Sequence, residues 1–228
     1  MEMDNEGIKI VLVGESGVGK TSIIKRFVEN NFEYNMQPSF GGSFFAKYLV
    51  FDDGEKLTLN IWDTAGQENY RSLTQMFYKD AKVAILVYDI TQYNKYDELT
   101  KYWYNKVKEN SASDIILVLA ANKSDLAEQE EVNEENAKKF AEDNNIDFFS
   151  VSAKNNYGIT DLFTQIVKKY TGRSDFRFID NQEELNMQGE IKNANNSNKK
   201  NIDKSMSVKL KLPTDNNINN DNKKKKCC

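Results

Sequence analysis

Short apolar runs alternate along the first 171 residues with polar stretches in which apolar side chains recur at helical spacing. The apolar runs predict strands at 8–13, on both sides of a turn within 43–63, and at 83–89, 115–122 and 147–152. The helical spacing predicts helices at 22–32, 97–110, 134–144 and 159–169. This alternation favours a three-layer α/β fold, with a mostly parallel six-stranded sheet between helices and a hairpin at 43–63 that supplies one antiparallel edge strand.

Charge and composition divide the chain into an acidic body and a basic tail. The whole chain has a net charge of −4, whereas residues 172–228 carry 12 Lys and Arg, 8 Asp and Glu, and 12 Asn. We therefore expect a folded domain at 1–171, a disordered tail at 172–222 and a basic, cysteine-containing segment at 223–228. The acidic start predicts no secretory signal, and the longest apolar runs are too short to span a bilayer.

The loop after the first predicted strand contains a phosphate-binding motif. Residues 14–21 read GESGVGKT, which fits the pattern G-x-x-x-x-G-K-T. Glycines let such a loop point its backbone N–H groups at phosphates, and the following helix adds the positive end of its dipole. Lys20 can reach the β- and γ-phosphates, and the Thr21 hydroxyl can bind Mg²⁺. The candidate contact residues here are Ser16, Gly17, Val18, Gly19, Lys20, Thr21 and Ser22.

A second motif, WDTAGQE, follows the third predicted strand at 62–68. Asp63 ends that strand, where its carboxylate can hold Mg²⁺ through water. Gly66 can offer a backbone N–H to a γ-phosphate at close approach. Gln67 can orient an attacking water molecule.

Two further loops predict a guanine site. The motif NKSD at 122–125 places a carboxylate at Asp125, which can accept hydrogen bonds from the guanine ring and its exocyclic amino group. Adenine reverses that donor pattern, so ATP gains nothing from this residue. Asn122 and Lys123 would brace the loop and cover the base. The triplet Ser152, Ala153 and Lys154 follows the last strand, and the Ala153 N–H could meet the guanine O6.

In this order, the four motifs resemble those of Ras-superfamily small GTPases, and the stretches 57–68, 68–81 and 86–91 resemble the Rab family. The resemblance covers about residues 7–171. It implies the P-loop NTPase fold of small G proteins, Mg²⁺ as cofactor, and hydrolysis of GTP to GDP and phosphate with Lys20 and Gln67 as catalytic residues. It also implies a monomer with slow turnover, on the order of 10⁻⁴ s⁻¹ without an activating protein.

The resemblance also locates the segments that would change with the nucleotide. Phe32 matches an edge-on contact to guanine, and Ser39 replaces the usual threonine but keeps a hydroxyl for Mg²⁺. The lost methyl group predicts a less ordered segment around Ser39. Phe44, Trp62 and Phe77 match an aromatic triad that Rab proteins present to effectors. They are equally compatible with aromatic side chains half-buried beneath the switch segments.

The sequence KKKKCC at 223–228 resembles the double geranylgeranylation signal of Rab proteins. Lipids on Cys227 and Cys228, together with the lysines, would supply the two signals that stable membrane attachment needs. Palmitoylation and an unmodified tail remain alternatives. Val208, Leu210 and Leu212 are either a docking site for the prenylation escort protein or a chance apolar cluster.

The function implied is a membrane-anchored switch that recruits effectors in vesicle trafficking, on the cytoplasmic face of an intracellular membrane and cycling with the cytosol. Residues 111–126 resemble the endosomal branch. Expected partners are an exchange factor, an activating protein, an escort protein, a dissociation inhibitor and effectors. The acidic body argues against nucleic acid. A GTP-binding adaptor with negligible hydrolysis stays open because of Ser39, whereas NKSD disfavours a P-loop kinase or ATPase.

Overall fold

The computed structural model describes residues 7–34, 36, 42–64, 77–180 and 183. The chain divides into the units Met1–Glu184 and Leu185–Cys228, and every described residue belongs to the first. Its strands are β1 (Ile8–Val13), β2 (Ser43–Phe51), β3 (Lys56–Asp63), β4 (Val83–Asp89), β5 (Ile116–Asn122), β6 (Asp147–Ser150) and β7 (Phe176–Phe178). Its α-helices are α1 (Lys20–Glu29), α2 (Tyr93–Glu98), α3 (Tyr104–Asn110), α4 (Glu134–Asp143) and α5 (Ile159–Thr171). A π-helical turn, Leu99–Trp103, joins α2 to α3, and a 3₁₀ helix covers Ser124–Gln129.

The sheet has the strand order β6-β5-β4-β1-β3-β2-β7. β1, β3, β4, β5 and β6 pair in parallel, and β2 runs antiparallel to β3. Every residue of β4 is buried, because helices cover both faces of the sheet there. One hydrophobic core packs α1 and α5 against the sheet, and the other packs the helices from Tyr93 to Asp143 against its opposite face. The predicted α/β class and its mostly parallel sheet are confirmed.

The predicted strand count and edge strand are wrong, because a seventh strand lies within the segment predicted to be disordered. β7 pairs antiparallel with Leu49–Phe51 of β2, so β2 is an interior strand. Phe176 and Phe178 pack against the core that contains α1 and α5, and Ile179 is 3% exposed. The domain boundary predicted at 171 therefore falls too early, since the folded part continues through β7.

Arg173 attaches this extension to the β2–β3 turn. Its guanidinium carbon lies 3.9 Å from the centre of the Phe51 ring, and its nitrogens pair with Asp53, Glu55 and Asp175 at 2.6–2.9 Å. The prediction of disorder came from the average composition of residues 172–228, which is polar. That average hid the apolar residues on both sides of Arg177. Of the predicted disordered tail beyond residue 180, the structure describes Glu183 alone.

The helix predicted at 97–110 begins four residues earlier, at Tyr93, and contains the π-helical turn. Trp103 and Phe163 are both buried, one in each of the two cores. None of the described helices has both the length and the hydrophobicity needed to cross a bilayer.

Candidate functional site

A cleft of about 460 Å³ lies where the loops after β1, β5 and β6 meet. In an α/β sheet, ligands bind beyond the carboxyl ends of the parallel strands, which is where these loops lie. The predicted site residues that line it are Ser16, Gly17, Gly19, Lys20, Thr21, Ser22, Phe32, Asn122, Lys123, Asp125, Ala153 and Lys154. Val18, Asp63 and Ser152 are buried next to these lining residues.

Two glycines of the phosphate loop (residues 14–19) are required by close contacts. Gly14 has φ 147°, and a Cβ there would lie 2.2 Å from the carbonyl oxygen of Val87. Gly19 has φ 98°, and its Cβ would lie 2.2 Å from the side-chain nitrogen of Asn122. A side chain at either position would force the loop away from the neighbouring strand. The Val87 backbone and the hydrogen-bonded Asn122 amide cannot move far enough to relieve such a contact. These two glycines of the sequence motif therefore meet a steric need of the loop itself.

Lys20 is a buried cation at the floor of the cleft. Lys20 is 6% exposed, and its ammonium donates to the carbonyl oxygens of Gly14 at 2.8 Å and Glu15 at 3.0 Å. Burial lowers the pKa of Lys20 from 10.5 to about 8, while the nearby carboxylates of Asp63 and Glu15 act in the opposite direction. The positive charge is thus held in place at some cost, in a position suited to an anionic ligand.

Thr21 and Asp63 form an oxygen pair beside Lys20. The Thr21 hydroxyl donates to Asp63 Oδ2 at 2.6 Å, and Asp63 is fully buried at the end of β3. Thr64 fixes the chain after Asp63 by donating to the Leu12 carbonyl at 2.6 Å. A hydroxyl and a carboxylate are hard oxygen ligands of the kind that Mg²⁺ accepts, since that ion is held by few side chains together with substrate phosphates and water. These residues therefore fit the predicted ion.

Asn122 connects the two ends of the cleft. Its side-chain nitrogen donates to the Val18 carbonyl at 2.8 Å, and its side-chain oxygen accepts from the Ala153 N–H at 3.4 Å. Lys123 adopts a left-handed conformation with φ 67° and pairs with Asp89 Oδ2 at 2.6 Å. The loop after β5 is thus fastened to the phosphate loop, to β4 and to the loop after β6.

The Asp125 carboxylate is held at the other end of the cleft. Its Oδ1 accepts from the Ser152 hydroxyl at 2.6 Å, and its Oδ2 lies 3.7 Å from the Lys154 ammonium. Ser152 therefore orients Asp125 from behind rather than lining the cleft. A carboxylate held this way suits a ligand that presents two neighbouring N–H donors.

Arg26 of α1 contributes to this end of the cleft and was missed by the sequence reasoning. Its Nε donates to the Ala153 carbonyl at 2.8 Å, and its Nη2 donates to the Lys154 carbonyl at 3.1 Å. The contacts span more than 120 residues of sequence, and Arg26 belongs to none of the motifs. No signal in the sequence distinguishes it from an ordinary exposed helix arginine.

Phe32 lines the cleft near the same loop. It is half-buried against the core, and its ring centre lies 5.2 Å from that of Tyr34 in an edge-to-face arrangement. The Lys154 ammonium lies 5.6 Å from the centre of the Tyr34 ring. Phe32 is therefore within the cleft, as its predicted contact with guanine requires.

The three predicted effector aromatics form a row on the surface. Phe44 is 52% exposed, and its ring centre lies 5.2 Å from that of Trp62, which lies 5.9 Å from that of Phe77. Lys9 adds a positive charge 5.5 Å from the Trp62 ring. A Cβ at Gly42 would lie 2.5 Å from the tip of Phe77, so glycine allows the Phe77 ring to pack against the backbone.

Several predicted site residues lie outside the described part of the chain. They are Ser39, Gly66, Gln67, Val208, Leu210, Leu212, Cys227 and Cys228. Their roles remain predictions from the sequence.

Comparisons with known proteins give one consistent result. The family model described as "Ras family" matches residues 9–172. The chain is 41% identical over 162 residues to GTP-binding protein ypt5 of Schizosaccharomyces pombe, which covers 71% of this chain and 76% of that protein. It is 40% identical over 162 residues to human Ras-related protein Rab-22A, covering 71% and 82%. It is 37% identical over 169 residues to a probable Rab-related GTPase of Acanthamoeba polyphaga mimivirus, covering 74% and 78%.

Proposed function

Because the chain belongs to the Ras family and is a Rab-like GTP hydrolase, we propose that it works as a membrane-anchored switch that recruits effectors in vesicle trafficking. The observation that supports this most directly is that the phosphate loop, the NKSD loop after β5 and the loop after β6 that contains Ala153 and Lys154 meet at one cleft. That cleft has a buried cation at one end and an oriented carboxylate at the other. The two ends match the phosphates and the base of a guanine nucleotide.

In this proposal each end of the cleft has a separate task. Asp125 selects guanine, since its carboxylate accepts from the ring N1–H and the neighbouring 2-amino group, a pair of donors that adenine does not present. Lys20 and the phosphate loop hold the phosphates. Thr21 and Asp63 hold Mg²⁺, with Ser39 as a further ligand. When bound, Mg²⁺ neutralises charge on the phosphate oxygens.

The chemistry assigned to this chain is mainly positioning. Gln67 would orient the attacking water, and the Lys20 ammonium would stabilise the negative charge that develops on the phosphate. Residues 31–45 contain no arginine that could stabilise that charge from within the chain. We therefore expect intrinsic hydrolysis on the order of 10⁻⁴ s⁻¹, accelerated roughly 10³–10⁵-fold by an activating protein.

Because hydrolysis is slow, the protein would stay in its GTP-bound state for a long time. The rate of hydrolysis would thus set how long effectors can bind. Ras-family members work with exchange factors, activating proteins and effectors. The row formed by exposed Phe44 and partly buried Trp62 and Phe77 is our proposed effector surface, because large aromatic side chains next to a nucleotide-sensitive segment can anchor a partner. An escort protein and a dissociation inhibitor would handle the lipidated form.

Membrane attachment is assigned to Cys227 and Cys228. Two geranylgeranyl chains would anchor the protein stably, and the four preceding lysines would add roughly 1 kcal/mol each near anionic lipid. The proposed address is the cytoplasmic face of an intracellular membrane, with the likeness of residues 111–126 favouring endosomes.

The first experiment is hydrolysis of GTP by the purified full-length protein in single- and multiple-turnover formats, with Mg²⁺ and with a chelator. Gln67→Leu is the matched variant, and ATP is the competing nucleotide. We expect slow turnover that needs Mg²⁺, is lost in Gln67→Leu and is not inhibited by ATP. Tight GTP binding without turnover in either protein would instead support the adaptor, and equal affinity for ATP would refute the role of Asp125.

A further inference from the structure

Two side chains outside the nucleotide motifs form hydrogen bonds with the phosphate loop. The Lys95 ammonium donates to the carbonyl oxygen of Ser16 at 2.7 Å, and the Trp103 indole N–H donates to Glu15 Oε1 at 2.8 Å. Lys95 lies on α2, and Trp103 ends the π-helical turn that follows it. Neither Lys95 nor Trp103 lines the cleft, so each would act on a bound nucleotide only through the phosphate loop.

The π-helical turn explains how both residues reach the same loop. In a regular α-helix of 3.6 residues per turn, two residues eight positions apart point in directions roughly 80° apart. The wider π-helical turn rotates less per residue and so reduces that angle. Lys95 and Trp103 therefore face the phosphate loop together. π-Helical turns inside α-helices occur frequently at functional sites.

The Lys95 contact controls a peptide group that borders the cleft. The carbonyl of Ser16 and the N–H of Gly17 belong to one trans peptide unit, so they point in opposite directions. Fixing the Ser16 oxygen toward Lys95 turns the Gly17 N–H away from Lys95, and both Ser16 and Gly17 line the cleft. A charged donor on the carbonyl also polarises the peptide and strengthens its N–H as a donor.

The Trp103 contact fixes the preceding residue. Trp103 is 1% exposed, so its indole is held by the core and offers a rigid donor to the Glu15 carboxylate. The carbonyl of Glu15 in turn accepts from Lys20 at 3.0 Å. The Trp103 indole, Glu15 and the Lys20 ammonium thus form a chain of hydrogen bonds from the core to the buried cation.

From this geometry we propose that Lys95 and Trp103 are positioning residues that hold the phosphate loop in its nucleotide-binding shape and thereby slow the release of GDP. Lys95 acts by fixing the peptide between Ser16 and Gly17, and Trp103 acts by holding Glu15. The inference rests on the nucleotide site assigned above.

The test measures the release of a fluorescent GDP analogue from the full-length protein into excess unlabelled GDP at constant Mg²⁺. Lys95→Met keeps the length of the side chain and removes the donor, and we expect release to be roughly tenfold faster. Lys95→Arg keeps a charged donor and should restore most of the wild-type rate. Trp103→Phe keeps an aromatic ring without the N–H and should speed release several-fold.

Lys101→Met is the matched control, because Lys101 lies in the same helical stretch but pairs with Asp97 on the surface at 2.7 Å. Thermal unfolding of the GDP-free proteins provides a second readout. The proposal predicts that Lys95→Met and Lys101→Met unfold at similar temperatures although only the former releases GDP faster.

The outcomes distinguish a failure of this inference from a failure of the proposed nucleotide site. Wild-type release rates in both Lys95→Met and Trp103→Phe would overturn the inference while leaving the nucleotide site intact. Equal acceleration in Lys95→Met and Lys101→Met would also overturn it, as would a Lys95→Arg protein as fast as Lys95→Met. Failure of the wild-type protein to retain GDP would refute the nucleotide site itself.

Discussion

The buried ammonium of Lys20 should make the stability of the nucleotide-free protein depend on pH in a way that one substitution removes. Lys20 is 6% exposed, and burial lowers its pKa from 10.5 to about 8. At pH 7 the difference between those pKa values corresponds to roughly 3 kcal/mol of folding free energy, which is the cost of keeping the charge inside the protein. A bound phosphate chain would offset that cost.

The sign of the pH effect follows from the direction of the shift. Between about pH 8 and 10.5 the folded protein has released the Lys20 proton while the unfolded chain still holds it. The unfolded state then binds more protons, so the free energy of unfolding rises with pH over this window. Lys20→Met has no proton to release and should not show this rise.

The expected magnitudes follow from the contacts of Lys20. Met removes the charge but also loses two hydrogen bonds, to the carbonyls of Gly14 and Glu15, worth about 1 kcal/mol each. At pH 7 we expect nucleotide-free Lys20→Met to be more stable than the wild type by about 1 kcal/mol. Above pH 10.5 the order should reverse, leaving the variant about 2 kcal/mol less stable.

The assay is urea unfolding of both full-length proteins without nucleotide and with a chelator, over a series of pH values. Other lysines and tyrosines titrate in both proteins, so their contributions cancel in the difference between them. A stability difference that stays constant from about pH 7 to above pH 10.5 would refute the reasoning. A wild type that is the more stable protein at pH 7 would refute the estimated cost of the buried charge.

Two further substitutions test the packing around the cleft and the β7 extension. Gly19→Ala should weaken GDP binding by roughly 100-fold or more in equilibrium titration, because its Cβ would lie 2.2 Å from the Asn122 amide. Gly54→Ala, with φ 87° and open space around it, is the control, and equal losses in both would contradict the steric argument. Arg173→Ala should speed hydrogen exchange of the β7 amides without changing GDP affinity, since Arg173 joins that segment to Asp53 and Glu55. Unchanged exchange relative to an Arg177→Ala control would show that the aromatic residues of β7 hold it unaided.

The fold could largely be read from the sequence because its strands differ sharply from their surroundings. Residues 8–13 are apolar except for Lys9, residues 83–89 are apolar except for Asp89, and the structure gives both strands these bounds. β7 escaped prediction because three residues are too few to show a period, and because their stability depends on contacts with β2 that are distant in sequence. The π-helical turn escaped for a similar reason, since local spacing does not distinguish it from an α-helix.

In the site, the motif residues were predictable and their supports were not. Lys20, Asn122 and Asp125 belong to motifs that are visible in the sequence, and the structure brings all three to one cleft. Arg26 and Lys95 bind backbone carbonyls of loops far away in sequence, at 2.8 and 2.7 Å. Any long cation at the right place can do this, so no residue pattern marks such a contact before the fold is known.

The supporting contacts imply that the two ends of the cleft respond together. Asn122 bonds to Val18 in the phosphate loop and to Ala153 at the base end, and Arg26 ties α1 to the same Ala153. Displacing the loop after β6 would therefore pull on the phosphate loop through the Asn122 amide, and on α1 through the Arg26 guanidinium. For this reason a partner protein that moves either end would weaken the hold on the whole nucleotide, so that it could speed exchange without entering the cleft.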